Sequence, residues 1–510
     1  MTDLPAQPAI ESPFADLPVV VIGAGPIGLA AASQLLENGL TPLIFEAGDS
    51  AAAAVRDWGH VQLFSPWRYN VDAAARRLLE AGGWQAPDPQ VLPTGAELVQ
   101  QYLEPLARTA EISAALHTGS RVLAVSRVGL DRTHAAGRDT TPFLVRVQTA
   151  DGSITDHRAR AVIDASGTWS RPNPLGQAGL PALGEHEAAP MISRPLPDVT
   201  GRDRDRFAGR RVLVVGAGHS AANTLLSLAD LADSAPHTRI LWAVRGASVT
   251  RLYGGGDLDG LPARGALGTR LRNLVEAGRI ELHTSFTITG FKAADSLLVT
   301  GSTPDGDSSL EVDVLIPATG FRPELEMLRE IRLDLDPAVE APRALGPLID
   351  PEFHSCGTVP PHGARLLAHP EKDFYIVGMK SYGRAPTFLL ATGYEQVRSV
   401  AAALAGNWAA ADQLELELPE TGVCSTDLGG GGCDTETAAA ADEAAPSSCC
   451  APQAEEPSSC CAPQAEEPSS CCAAPAGPQP VSLGFATGSA HGRSGTGERS
   501  EATKTSGGCC

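Results

Sequence analysis

Short β-branched runs and helix-periodic stretches alternate along this chain until about residue 405. Val19-Val-Val-Ile22 is an unbroken apolar run, the pattern of a strand buried on both faces. It meets the turn Gly23-Ala24-Gly25-Pro-Ile-Gly28, an Ala/Leu-rich helix pattern follows, and Thr41-Pro-Leu-Ile-Phe-Glu46 reads as the next strand. The same succession returns at Arg211–Val215, with the turn Gly216-Ala-Gly218-His-Ser220-Ala221, an apolar-periodic helix to about Leu231 and a strand Arg239–Arg245. Between the two units, Thr94-Gly-Ala-Glu97 reads as a capping box opening a helix through about Ala110. Strands are expected at Arg121–Val125, Phe143–Gln148 and Arg158–Asp164. Beyond the second unit the pattern predicts a helix over Arg264–Ala277, strands at Val312–Pro317 and Asp373–Gly378, and a helix from about Ala385 to Ala405 with Pro386 in its first turn.

Strand, glycine turn and helix together carry a chemical meaning. The first glycine permits the tight turn, the second lets backbone amides approach a pyrophosphate, and the third lets helix and strand pack closely. The helix N-terminus then faces the phosphates with its partial positive charge. Glu46 follows Gly28 by 18 positions, close to the roughly 20 expected of a carboxylate that binds an adenosine ribose. The second unit ends in Arg245 instead, and a guanidinium suits a 2′-phosphate. The first loop (Gly23, Ala24, Gly25, Gly28, Glu46) is therefore assigned to FAD, and the second (Gly216, Gly218, Ser220, Ala221, Arg245) to NADPH. Two small-residue turns at strand ends, Asp164-Ala-Ser166-Gly167-Thr168 and Gly378-Met379, are expected to approach the first cofactor. Lys380 and Arg384 are each read as either a cation at the flavin or a solvated loop charge. The aromatic segment Trp58–Trp67 either walls a planar cofactor or belongs to the core.

The resulting fold class is α/β, with two Rossmann-like dinucleotide-binding domains. The FAD domain is expected at 17–175 and 312–408, with the NADP domain inserted at 176–311, and a disordered tail is expected at 412–510.

Charge sharpens the tail boundary. The 510-residue chain has a net charge of −21, and the stretch from Asp412 to Cys510 holds 15 acidic and 3 basic residues. The body is only mildly acidic, which argues against nucleic acid or an anionic membrane surface as a partner. Met1–Leu17 has no Lys or Arg and no apolar core of a secretory signal. Leu17–Leu36 is charge-free and of membrane-span length, but glycines and Pro26 interrupt it. A cytoplasmic protein acting on a small-molecule substrate is expected.

Of 11 cysteines, only Cys356 precedes Cys424. The tail repeats Glu-Glu-Pro-Ser-Ser-Cys-Cys-Ala-Pro-Gln-Ala. This places adjacent pairs at Cys449 and Cys450, at Cys460 and Cys461, and at Cys471 and Cys472, while Cys509 and Cys510 end the chain. Thiolates on a reduced, core-less segment suit soft ions such as arsenite, so these eight residues are the candidate metal ligands. The alternative is a low-complexity expansion with no selected ligand.

From about Leu17 to Ala405 the two glycine loops, with Ala318-Thr-Gly320 between the second loop and the final strand, resemble the two-dinucleotide-domain flavoproteins. Gly378–Val397 and Gly216–Asn223 are similar to the flavin-dependent monooxygenase-like proteins of actinobacterial arsenic-resistance operons. That resemblance implies an FAD- and NADPH-dependent oxidoreductase in which hydride passes to flavin and then to oxygen or another acceptor. Two departures stand out. The Phe-x-Gly-x-x-x-His fingerprint of flavin monooxygenases is absent from Pro181–Arg194, and the body has no Cys-x-x-Cys of the disulfide reductases. No catalytic acid or base is evident; His219 and Cys356 are the residues to watch.

Overall fold

Two parallel sheets built on one plan carry the two glycine loops. The first has the strand order Phe374–Ile376, Ala161–Asp164, Val19–Ile22, Pro42–Phe45, Leu116–His117, with every pairing parallel. The second runs Glu281–His283, Arg239–Ala243, Arg211–Val215, Val314–Pro317, again all parallel. In each half a three-stranded antiparallel meander leads into a parallel strand, Ala161–Asp164 in the first and Val314–Pro317 in the second. The meanders are Ser120–Arg127, Phe143–Thr149 and Ile154–Ala159 in the first half, and Thr287–Ala293, Leu297–Thr303 and Gly306–Val312 in the second. This is the α/β fold with two Rossmann-like units that the pattern predicts. The computed structural model describes residues 14, 16–250, 252–253, 262–351, 359, 361–385 and 388–415, all inside the unit Met1–Gly432. Cys356, Pro386 and the tail beyond Glu415 lie outside the described residues. So do all the candidate thiol ligands: Cys449, Cys450, Cys460, Cys461, Cys471, Cys472, Cys509 and Cys510.

The all-apolar strands are explained by what covers each face. Val19 and Val21 pack with the helices Pro26–Glu37 and Leu390–Leu404, whereas Val20 and Ile22 pack with Val125, Phe143 and Val145 of the meander. In the second half Val212 and Val214 face the helices His219–Ser234 and Pro262–Glu276, and Leu213 and Val215 face the other meander. Alternating side chains thus serve two different cores, so neither face tolerates a polar residue.

Three expectations are corrected. Val314–Pro317 pairs with Arg211–Val215, so this strand completes the second sheet instead of opening the returning FAD segment at 312. The run 158–164 is split: Ile154–Ala159 ends the meander, Arg160 N–H turns to the Pro18 carbonyl, and Ala161–Asp164 joins the parallel sheet. Finally, the capping box forms, with Thr94 N–H donating to Glu97 Oε2 at 2.7 Å and Glu97 N–H to Thr94 Oγ1 at 3.2 Å. The helix it opens nevertheless widens to a π turn over Val99–Leu103 and ends at Ala107. Pro105 is the cause. It has no N–H for the Gln101 carbonyl, and Trp84 Nε1–H donates to that carbonyl instead, at 2.8 Å.

One buried acid gives the first half a pH dependence. Asp72 caps the helix Ala73–Ala81, accepting from Ala75 N–H and from Gln34 Nε2–H, both at 2.9 Å. Burial pushes its carboxyl from 3.8 up to about 6, against the lowering effect of those hydrogen bonds. The folded state therefore holds a proton that the unfolded state has released, and stability falls as pH rises from about 4 to 6. Asp72→Asn keeps an acceptor for Ala75, while a flipped Gln34 amide meets the new NH₂. Relative to wild type, the variant should gain about 2–3 kcal/mol between pH 4 and pH 7. Urea unfolding at both pH values tests this; a stability difference that does not change with pH refutes it.

Candidate dinucleotide sites

Both glycine loops leave the C-terminal edge of an inner strand of their sheet, where ligands of open α/β sheets bind. Gly23 has φ +97°, and a Cβ there would stand 2.9 Å from the Ala165 carbonyl oxygen, so this turn lies directly on the Asp164–Thr168 segment. At Gly28 a Cβ would collide with the Gly23 carbonyl, which is the close helix–turn packing expected of the third glycine. Gly25 caps the helix Pro26–Glu37 without any side-chain cap, and a Cβ on it would meet nothing within 4 Å. The second loop matches point for point. Gly216 has φ +134° and abuts the Ala318 carbonyl, Gly218 is an open, side-chain-free cap of His219–Ser234, and Ala221 is fully buried in the third position. Trp242 Nε1–H pins this turn by donating to the Gly216 carbonyl at 2.8 Å. Uncapped helix amides beside open space fit the pyrophosphate of a dinucleotide at each loop.

The carboxylate at the end of the second strand is already engaged. Glu46 Oε2 accepts from Ala24 N–H and Oε1 from Gly48 N–H, each at 2.7 Å. These bonds fix the carboxylate beside the loop and leave each oxygen a further lone pair for a ligand hydroxyl. Arg245 lies two residues past the strand Arg239–Ala243, exposed and without an ion pair among the described residues. Ser220 is half-buried, and its carbonyl accepts from the Thr224 hydroxyl at 2.8 Å.

Around the first loop the structure brings together more than the sequence suggests. Asp164 is register-paired with both Ile22 and Ile376. Gly167 has φ +70°, Thr168 is buried and Ser166 is exposed. Gly378, at φ +69°, sits 3.2 Å (as a hypothetical Cβ) from Ile27 of the glycine-loop helix, and Met379 beside it is half-buried. Lys380 is not a solvated loop cation. Its Nζ is buried and donates to Asp164 Oδ2 at 2.6 Å and to Ser166 Oγ at 3.1 Å. Arg384 is the exposed one, paired with Glu340 at 2.6 Å. The Asp164–Lys380 link joins residues 216 positions apart, and no local pattern announces it.

The aromatic segment divides between its two readings. Trp67 is core, and Trp58 packs on Gly95, where a Cβ would lie 2.7 Å from the indole. Phe64 instead crosses to the second half, packing on its core with its ring 5.2 Å from that of His219. A cavity of about 260 Å³ opens there between Gln62, Phe64, Asn223, Leu226, Leu267 and Arg270. Asp57 ties the same junction, accepting from Trp169 Nε1–H at 3.0 Å and facing Arg194 at 3.4 Å.

Residues 20–343 match the family described as pyridine nucleotide-disulphide oxidoreductase, well over half of the chain. The chain belongs to that family. It is 26% identical over 319 residues to the bifunctional thioredoxin reductase/thioredoxin of Mycobacterium leprae, covering 62% of this chain and spanning about half, 54%, of that relative. Among solved structures, the fold is that of the bacillithiol disulfide reductase Bdr (YpdA) from Bacillus cereus (TM-score 0.57, 19% identity, 76% of this chain and 99% of that one). It is also that of the FAD-bound cadaverine monooxygenase DfoA from Erwinia amylovora (TM-score 0.55, 13% identity, 79% and 96%). As a member of this oxidoreductase family the chain is an enzyme. Yet the matched segment contains no cysteine at all, so the dithiol in the family's description has no counterpart there. Among the described residues no cluster suited to a metal ion occurs, and no helix is long and apolar enough to cross a membrane. The expected thiol ligands Cys449, Cys450, Cys460, Cys461, Cys471, Cys472, Cys509 and Cys510 lie outside the described residues, so this absence does not extend to them.

Proposed function

We propose that the chain is an FAD- and NADPH-dependent oxidoreductase of monooxygenase type, serving resistance to arsenic. The observation that carries the reading is a pair of complete dinucleotide loops in a body whose matched segment lacks any redox cysteine. When bound, the two cofactors supply hydride transfer and onward delivery of electrons. Amides of the Gly23–Gly28 and Gly216–Ala221 turns bind the pyrophosphates, Glu46 accepts from ribose hydroxyls, and Arg245 pairs with a 2′-phosphate. Asp164, Ser166, Gly167, Thr168, Gly378 and Met379 line the remainder of the FAD site. With no internal dithiol, electrons leave to an external acceptor, oxygen or a small molecule. The tail pairs, Cys449 with Cys450, Cys460 with Cys461, Cys471 with Cys472 and Cys509 with Cys510, hold arsenite as thiolates.

A specific observation favours a second reading, an NADPH-dependent reductase or oxidase that inserts no oxygen. The segment in which flavin monooxygenases carry their fingerprint is occupied here by structural contacts. Leu183 bridges to Gly290, Gly184 abuts Phe291, and Ile192 bridges to Leu315. NADPH oxidation by the purified yellow protein, followed with and without oxygen and arsenite, separates the two. The first reading expects oxygen-dependent turnover, stimulated by arsenite, with an oxygenated product. Turnover without such a product selects the second, and colourless protein ends both. A chain cut after Glu415 should keep NADPH oxidation and lose arsenite binding. If the cut chain binds as much arsenite as the full one, the tail has no such role.

A further inference from the structure

The buried Lys380–Asp164 pair is an electrostatic feature of the first half whose ammonium the assignments above leave without a task. Both side chains are fully buried, and a charge pair withdrawn from water is retained at a cost in desolvation that well-packed apolar residues would avoid. Its position suggests what that arrangement does. Asp164 ends the strand beside Val19–Ile22, and the residue after it lies beneath Gly23. Lys380 follows the last strand of the sheet, whose exit is fixed by the contact of Gly378 with Ile27 and by Gly378 N–H donating to buried Gln396 at 2.7 Å. The ammonium thus clamps three segments at the sheet edge: the strand end, the Ser166 turn and the final strand.

The hydrogen bonds also set the direction of one exposed hydroxyl. Ser166 Oγ–H donates to Asp164 Oδ1 at 2.6 Å, and Ser166 Oγ accepts from Lys380 Nζ at 3.1 Å. A second bond, from Ser166 N–H to the same carboxylate oxygen at 3.1 Å, holds the backbone of the turn. The proton and one lone pair of this hydroxyl are committed inward, so what it offers outward is a single fixed acceptor lone pair. Such a group recognises a hydroxyl donor, and not a phosphate or a carboxylate.

We infer that Lys380 is a positioning residue of the FAD site: through Asp164 it orients Ser166 Oγ to accept a hydrogen bond from a polyol or ribose hydroxyl of the cofactor. The inference rests on the first loop being the FAD loop. Lys380 does not touch the cofactor; it acts through Ser166.

The test measures FAD dissociation constants of the full-length chain, stripped of flavin and titrated back, beside its thermal unfolding without flavin. Ser166→Ala and Lys380→Met should each weaken FAD at least about tenfold, a factor corresponding to one well-oriented hydrogen bond. The combined variant should be no weaker than Ser166→Ala alone, because both remove the same contact. Lys380→Arg keeps charge and donors and should restore most of the affinity. Since Lys380→Met strands a buried carboxylate, the pair Asp164→Asn with Lys380→Met is the control for folding. It should unfold as the wild type does yet still bind FAD weakly. Full additivity of Ser166→Ala and Lys380→Met overturns the inference, as does wild-type FAD affinity in the Asp164→Asn, Lys380→Met chain. Failure of the unaltered chain to take up FAD would instead overturn the assignment of the loop itself.

Discussion

Truncating Glu371 to alanine is expected to cost about 3–5 kcal/mol of stability, enough to leave a domain of ordinary stability barely folded. The side chain is fully buried between two almost fully buried guanidinium groups. Glu371 Oε1 accepts from Arg127 Nε–H at 2.8 Å, and Oε2 meets Arg138 Nη2 at 2.8 Å and accepts from Arg332 N–H at 3.1 Å. Burial alone would push this carboxyl up; the hydrogen bonds from Arg138, Arg127 and the Arg332 amide outweigh it and hold it below the ordinary range. The remaining guanidinium hydrogens reach the carbonyls of Thr141, Lys372, Asp131 and Glu330. One carboxylate therefore bridges two cations that join the first meander to the 326–332 segment and to the last strand. Its removal leaves both cations buried against carbonyl dipoles and, for Arg127, the face of the Phe143 ring. Because the folded-state pKa is depressed, the stabilisation is complete above the unfolded value and is lost as pH falls through the folded one. Glu371→Ala should accordingly be least damaging in acid, where the wild type has lost the same contribution. Denaturant titrations at pH 7 and at acid pH measure both effects; a loss under about 1 kcal/mol at pH 7 would refute the clamp.

Arg127, Arg138 and Glu371 also illustrate what the chain discloses in one dimension and what it withholds. Both glycine loops, their strands and helices, and the capping box at Thr94 were legible because each depends on spacing within a few residues. Gly28 stands where helix and turn must touch, and its contact with the Gly23 carbonyl shows it, while Gly23 and Gly216 abut the Ala165 and Ala318 carbonyls just past neighbouring strands. Partners far apart in sequence were not legible. Arg127 and Glu371 are 244 positions apart and Asp164 and Lys380 are 216 apart, and only the order of strands in the sheet brings each pair together. The boundary at 312 failed for a related reason: Val314–Pro317 has the same apolar pattern as any inner strand, and nothing local says which sheet it joins. At Pro105 the opposite occurred. The proline was in plain view, but the pattern of apolar spacing concealed that Trp84 would satisfy the carbonyl it leaves free.

The largest effect on cofactor binding is expected at the first loop, where two neighbouring glycines should fail in different ways. In Gly28→Ala the new methyl overlaps the Gly23 carbonyl oxygen. That obstacle is backbone and cannot rotate aside, so the helix must retreat from the turn, at a cost of about 1–3 kcal/mol for an overpacked contact. A retreat of about 1 Å also misaligns the helix amides, a displacement that elsewhere costs on the order of a hundredfold in function. Gly25→Ala meets nothing within 4 Å in the protein itself, so its thermal unfolding without flavin should match the wild type. Its methyl, however, projects into the space above the uncapped helix end, where the pyrophosphate backbone must approach the amides. Both variants should therefore be purified without flavin, but only Gly28→Ala should also unfold at lower temperature. The second loop provides an internal control, since NADP(H) binding at Gly216–Ala221 should survive in Gly25→Ala. If Gly25→Ala takes up FAD with unchanged affinity, the open cap is not where the cofactor's phosphates lie, and the division of the two loops between FAD and NADPH has to be redrawn.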